Sequence, residues 1–220
     1  MEKAGVVVSY SGGMDSTALI SELLALGYSP ELISFDYGQT LVRELDCAKA
    51  VAEYYGLRWD RVDMRGIAPL LKSALTGHSE VPDGVSTESG TSSTVVPARN
   101  AVMLSICAGT AFSRGHRHIA YAAHGWDHKV YPDCRPAFAE SFEAMATLAV
   151  GEPMHVLAPF INIPKSQIVT IGTKNGAPFG LSWSCYNGHD LHCGTCEACV
   201  CRKDAFSEAG IPDPTKYEVK

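Results

Sequence analysis

Val6-Val7-Val8-Ser9-Tyr10 runs directly into Ser11-Gly12-Gly13-Met14-Asp15-Ser16, and Thr17 opens an apolar run that continues to residue 26. Three β-branched residues in succession suit a strand buried on both faces. Leu19, Leu23 and Leu26 recur at helical spacing, so the stretch predicts strand, loop and helix, with Ser16 as the helix N-cap. Gly12 and Gly13 reach backbone angles closed to other residues, which lets successive N–H groups turn inward into a nest of partial positive charge. The helix N-terminus adds about half a unit of positive charge, and the hydroxyls of Ser11, Ser16 and Thr17 supply further donors. Such a nest takes phosphate. Polyphosphate would repel Asp15 unless a divalent cation stood between them, so the loop implies magnesium as well as nucleotide. The plain alternative is a glycine turn joining strand to helix.

Spelling narrows the choice of phosphate loop. A Walker loop needs a Gly-Lys pair, which this chain lacks, and the third glycine of the dinucleotide fingerprint is missing too. What remains, Ser-Gly-Gly-x-Asp-Ser, resembles the pyrophosphate loop of enzymes that cleave ATP between its α and β phosphates.

With 220 residues, 46% of them hydrophobic, the chain can bury a sizeable core and suits one domain with a small appendage. Its 24 acids against 18 bases give a formal charge of −6, which argues against a nucleic-acid partner, since phosphate contacts need a basic face. The substrate is expected to be small. No stretch approaches the roughly 20 uninterrupted apolar residues of a membrane span, and Met1-Glu2-Lys3 leads into a strand rather than a signal peptide. The expected compartment is the cytoplasm, with no membrane partner, where the eight cysteines need an explanation other than disulfides.

After the first helix, Glu31-Leu32-Ile33-Ser34-Phe35 predicts a second strand ending at Asp36-Tyr37-Gly38-Gln39, where Asp36 and Gln39 either contact ATP or cap the next helix. Leu41, Leu45, Ala48, Ala52 and Tyr55 mark that helix's buried stripe, and residues 59–62 read as a third strand. The βαβαβ pattern with right-handed crossovers predicts a doubly wound, mainly parallel α/β sheet. Residues 77–94, rich in Ser, Thr, Gly and Glu, form a long loop read as an active-site lid. Val96-Pro97-Ala98-Arg99-Asn100 then opens a helix with Met103, Ile106, Cys107, Thr110 and Ala111 on its buried face. Arg99 in the first turn opposes the helix dipole unless an anion is nearby, the alternative being an exposed arginine.

His118-Ile119-Ala120-Tyr121-Ala122 reads as a strand, with His124-Gly125-Trp126-Asp127 and Tyr131-Pro132-Asp133-Cys134-Arg135-Pro136 at its C-terminal end. His124 and His128 have the spacing of a helical metal pair, but Gly125 speaks against one. A helix over residues 138–150 and a strand over 155–158 follow; Lys165 then begins a helix, where phosphate would again balance its charge and a surface lysine is the alternative.

Cys185 is followed after seven residues by Cys193, Cys196, Cys199 and Cys201. Cys185, Cys193, Cys196 and Cys199 supply the four thiolates of a closed tetrahedral zinc site, with an iron–sulfur cluster as the chemical rival. Zinc would hold a segment too short for a core of its own. His189 and His192 are read as bystanders, and Cys201 as a spare thiol.

Together these residues resemble the 7-cyano-7-deazaguanine synthase family of pyrophosphate-loop enzymes. The resemblance runs through Ser11 to Ser16, Asp36-Tyr37-Gly38-Gln39, Arg43-Glu44, Val96-Pro97-Ala98-Arg99-Asn100, Tyr131-Pro132-Asp133-Cys134-Arg135, Ser184-Cys185-Tyr186-Asn187, the cysteine knuckle, Arg202-Lys203 and Gly210-Ile211-Pro212-Asp213-Pro214-Thr215. It implies a Rossmann-like fold of the adenine nucleotide alpha hydrolase type, with residues 1–182 as the ATP-binding catalytic domain and 183–220 as a zinc-binding segment packed on it. The implied reaction takes 7-carboxy-7-deazaguanine, ATP and ammonia through an acyl adenylate and an amide to the nitrile, in a homodimer. The implied catalytic residues are Asp15, Arg99 and Lys165. Nucleotide contacts fall to Tyr10, Ser11, Gly12, Gly13, Met14, Asp15, Ser16, Thr17, Asp36, Gln39 and Asn100, and the deazaguanine acid to Asp127, Tyr131, Asp133 and Arg135. One departure is Lys129-Val130, where the family usually carries Ser-Gly. A relative that stops at the amide or joins the acid to another amine would keep every ATP feature and change this stretch. Two further readings are a zinc-knuckle module that binds nucleotide or RNA, and a tRNA-thiolation enzyme with Cys134 carrying sulfur.

Overall fold

The structure, a computed structural model, describes residues 3–37, 43–70, 73, 95–187 and 190–218. Gln39, Leu41, the stretch 77–94 and His189 lie outside the described residues. Among these residues five strands, β1 (Gly5–Ser9), β2 (Ser29–Asp36), β3 (Trp59–Asp63), β4 (His118–Ala120) and β5 (His155–Leu157), pair in parallel in the order β3-β2-β1-β4-β5. The chain winds outward from β1 to β3, then restarts on the other side of β1. A crevice therefore opens at the carboxyl ends of β1 and β4, where a doubly wound sheet places its ligand.

Among the described residues six α-helices cover the sheet: α1 (Met14–Ala25), α2 (Arg43–Tyr55), α3 (Arg99–Ser113), α4 (Pro136–Val150), α5 (Lys165–Lys174) and α6 (Glu197–Ala209). The alternation of a strand sorts them into two layers. Val6 and Val8 face a core with Leu19 and Leu23 of α1, Val51 of α2, Ile168 of α5 and Phe206 of α6. Val7, between them, faces the opposite core with Leu104 of α3 and Phe142 of α4. All three valines are fully buried, as the sequence predicts for a central strand. Ala205 and Phe206 belong to the same core as α1, so the C-terminal segment shares the main core while its cysteines form a separate cluster with Trp183.

Several local expectations shift: the strand read over 118–122 ends at Ala120, and the helix read from 138 starts at Pro136. Helix α1 begins at Met14 with Gly13 as its N-cap, and Ser16 lies inside the first turn, its hydroxyl donating to the Gly13 carbonyl at 3.1 Å. The inward-turned nest runs straight into the helix and leaves no place for a side-chain cap. On α3 the buried face is Met103, Leu104, Cys107, Ala108 and Ala111, with Ile106 and Thr110 at its margin, because both the sheet and α4 press on this helix.

β5 is an edge strand, and its outward Val156 N–H donates to Glu143 Oε2 of α4 at 2.8 Å. No helix among the described residues is long and apolar enough to cross a membrane.

Candidate active site and cysteine cluster

The loop after β1 is held from beneath. Trp59 Nε1 donates to Ser34 Oγ at 2.8 Å, and Ser34 Oγ donates to the Tyr10 carbonyl at 2.7 Å, so β3 and β2 fix the point where the chain leaves the sheet. Tyr10 is buried, its hydroxyl 3.1 Å from Thr17 Oγ1. Ser11 Oγ accepts from the Gly13 N–H at 3.1 Å and lies 3.0 Å from Ser16 Oγ. Gly12 has φ +89°, and a Cβ there would collide with the Glu44 carbonyl oxygen. Both facts demand glycine.

Asp15, in the first turn of α1, looks across to α5 and to the turn after β4. Lys165 Nζ lies 3.4 Å from Asp15 Oδ2, while Asp15 Oδ1 is buried and has no hydrogen-bond partner among the described residues. His124 Nε2 lies 3.2 Å from Asp127 Oδ2 and 3.9 Å from Asp15 Oδ2. Burial works against the Lys165 ammonium, but the carboxylates of Asp15 and Asp127 outweigh it and hold its pKa above the ordinary lysine value. Burial lowers His124 and raises Asp127. An orphaned carboxylate oxygen and a second acid beside a lysine are the hard oxygen donors that a divalent cation would take at a polyphosphate site.

A cavity of about 300 Å³ joins these groups to a second wall. Tyr10, Ser11, Gly13, Met14, Asp15, Ser16, Arg99, Asn100, Asp127, Tyr131 and Lys165 all line it, as do Glu44, Tyr37, His124 and Tyr186. Arg99 Nη1 donates to the Tyr37 hydroxyl at 3.2 Å. Asp36, Asp133 and Arg135 fall outside the lining. Asp36 ends β2 with its carboxylate against Arg61. Asp133 Oδ2 accepts from the Asn100 N–H at 3.0 Å, tying down the start of α3. Arg135 is exposed and donates from Nε to the His128 carbonyl at 2.9 Å. Cys134 does line the cavity, but burial pushes its thiol up, which disfavours a thiolate nucleophile, and outweighs the Asn100 Nδ2 donor to its sulfur, which works the other way.

Sequence reasoning gives Glu44 and Tyr186 no role, although both stand in stretches that carry the resemblance. Their place on the cavity wall comes from contacts between α2, α3 and the segment after Trp183, which no local periodicity encodes. The sequence places His124 at the carboxyl end of its strand, where the cavity is, but gives it no role beyond a metal pair with His128.

The sulfur atoms of Cys185, Cys193, Cys196 and Cys199 are all buried and lie within 4.8 Å of one another. Backbone N–H groups point at them: Asn187 and Cys193 donate to Cys185 Sγ at 3.3 Å each, Cys196 to Cys193 Sγ and Tyr186 to Cys196 Sγ at 3.4 Å each. Four converging sulfurs, with N–H donors to three of them, fit one tetrahedral metal ion. His192 stays out of the set: its Nε2 accepts from the Ser184 N–H at 3.2 Å, its ring packs on Trp183, and burial pushes it down to about 4. Cys201 stands outside the cluster, and burial pushes its thiol up against the pull of the Lys165 ammonium. The cluster reaches the phosphate loop through Trp183, whose N–H donates to the Gly12 carbonyl at 2.9 Å and whose ring sits under the Arg43 guanidinium.

A phosphate nest with an embedded aspartate, at the head of a parallel sheet ordered 3-2-1-4-5, defines an ATP-binding protein of the pyrophosphate-loop type. Two solved structures share the fold: one described as a predicted subunit of a tRNA methyltransferase from Methanocaldococcus jannaschii (TM-score 0.55, 17% identity, 99% of this chain and 93% of that one) and NMN synthetase from Francisella tularensis (TM-score 0.51, 12% identity, 96% and 79%). Residues 5–210 match the model of the family described as queuosine biosynthesis protein QueC, and the chain belongs to that family. Curated relatives include the 7-cyano-7-deazaguanine synthases of Paracoccus denitrificans, 47% identical over 96% of this chain and 92% of the relative, and of Marinobacter nauticus, 44% identical over 97% of each.

Proposed function

We propose that this chain is an ATP-dependent carbon–nitrogen ligase that converts 7-carboxy-7-deazaguanine and ammonia into 7-cyano-7-deazaguanine. The observation that carries this is the single cavity uniting the phosphate loop with an aromatic wall, in a chain that matches named synthases over nearly its whole length. A carboxylate is a poor acyl donor because its leaving group is oxide. Attack of the acid on the α-phosphate of ATP releases pyrophosphate and leaves an acyl adenylate, from which ammonia displaces AMP to give the amide; a further ATP-driven activation dehydrates the amide to the nitrile. In this scheme Ser11, Gly12, Gly13 and Ser16 hold the pyrophosphate, and Lys165 and Arg99 screen the charge that develops on it. Asp15, with Asp127, would hold magnesium, which would neutralise the phosphate oxygens. No protein nucleophile takes part; the chain positions the reactants and screens charge.

The four cysteines are assigned to one structural zinc ion that orders residues 183–203, within the proposed C-terminal segment 183–220. The working form is a cytoplasmic homodimer without a nucleic-acid or membrane partner; Met145 and Leu148, 43% and 83% exposed on α4, offer it an apolar face.

One assay tests the proposal. Purified protein is incubated with 7-carboxy-7-deazaguanine, ATP, magnesium and ammonia, with pyrophosphate followed enzymatically and the product weighed by mass spectrometry. The nitrile mass with pyrophosphate release is expected. An amide or conjugate mass points to a relative with a different last step, and absence of pyrophosphate overturns the scheme.

A further inference from the structure

The scheme above leaves one acid on the cavity wall without a task. Glu44, in the first turn of α2, faces the cavity beside Tyr37, Arg99 and Tyr186. Its carboxyl takes no hydrogen bond from the described residues, and Arg99 acts on it only as a nearby charge. The other acids of the region are engaged: Asp127 beside His124 and Lys165 at the phosphate end, and Asp133 with the Asn100 N–H. An acceptor-only group kept half-buried and without a donor is costly unless a ligand brings donors to it.

Resting on the function proposed above, the substrate supplies them. The pyrimidinone ring of a deazaguanine presents two adjacent donors, N1–H and the 2-amino group, which match the two oxygens of a carboxylate. The 7-carboxylate lies at the other end of the ring system. We propose that Glu44 is the specificity-determining acceptor for this edge, holding N1–H and the 2-amino group in a two-oxygen contact. The acid's carboxylate is thereby aimed away from α2, toward Ser11, Asp15 and Lys165. The flat ring lies among Tyr37, Tyr131 and Tyr186. Burial pushes the Glu44 carboxyl up to about 7, and a paired donor is the kind of ligand that restores its ionised form.

The test compares wild type with Glu44→Gln and Glu44→Asp on two acids, 7-carboxy-7-deazaguanine and the same molecule lacking the 2-amino group, at saturating and varied ATP. Glutamine loses one acceptor and turns an N–H toward N1–H. Glu44→Gln is expected to raise KM for 7-carboxy-7-deazaguanine by about ten- to a hundredfold, leave KM for ATP unchanged and abolish the preference for the 2-amino compound. Glu44→Asp keeps the acceptor pair and is expected to retain the preference at a higher KM, which separates recognition from a folding defect. A preference that survives in Glu44→Gln overturns the assignment, as does a rise in KM for ATP, which would place the adenine amino group at Glu44 instead. If wild type releases no pyrophosphate with either acid, the functional scheme itself falls, an outcome distinct from both.

Discussion

Burial pushes the Glu44 carboxyl up to about 7, with the Arg99 guanidinium working against the rise. Among the described residues, Tyr10, Tyr37, Cys47 and Tyr186 are other titratable groups that interact with it. An unfolded glutamate ionises near 4.5, so the folded empty protein binds this proton more tightly. The sign follows from linkage. Below about pH 4.5 the group costs nothing, and as pH rises through 7 the fold loses up to roughly 3 kcal/mol, at about 1.4 kcal/mol for each tenfold difference in proton affinity. Glu44→Gln is therefore expected to melt with wild type at pH 4.5 and above it at pH 8, as differential scanning calorimetry would register; equal melting at both pH values would refute the burial. The same residue shows the limit of reading a site from sequence. Gly12, Asp15 and Lys165 declare themselves, because glycine spacing and charges at helix starts are local signals. The task of Glu44 depends on α3 and on the segment after Trp183, more than fifty residues away in the chain.

Helix α6 carries an arginine as fully buried as any core residue. Arg202 is 1% exposed; its Nε lies 3.2 Å from both oxygens of Asp213, Nη1 donates to Ser182 Oγ at 2.9 Å, and Nη2 to the Phe179 carbonyl at 3.0 Å. The arginine thus stitches the helix after the cysteine knuckle to the turn before it. Arg202→Met would leave the Asp213 carboxylate without its cation, and urea titration should show a loss of about 3–5 kcal/mol; a loss under 1 kcal/mol would mean that the network is peripheral. At this scale the sequence was informative wherever one period dominated. Val6, Val7 and Val8 announce a central strand, and β3 and β5 end within a residue of expectation. The turns Gly125–Lys129 and Pro132–Cys134 do not announce themselves, since single-turn 3₁₀ segments carry no amphipathic repeat. Ser16 looks like a cap because serine often is one; the backbone nest takes that place instead.

Across the whole molecule, the cysteine cluster and the phosphate loop are one mechanical unit, joined by the hydrogen bond from Trp183 to Gly12. Stripping the metal with a chelator is expected to release Trp183 and weaken ATP binding about tenfold, the worth of one hydrogen bond and its attendant order, measurable by calorimetric titration. Unchanged affinity in demonstrably metal-free protein would separate the two sites. Glu143 has a consequence of another kind. Its carboxylate occupies the outward amide of β5, where a stray strand would otherwise dock, and it does so next to the apolar side chains of α4. Solubility at high concentration accordingly hinges on a lone acid: trimming it to alanine opens a sticky seam along the rim of the sheet, an invitation to clumping that leaves the distant chemistry intact.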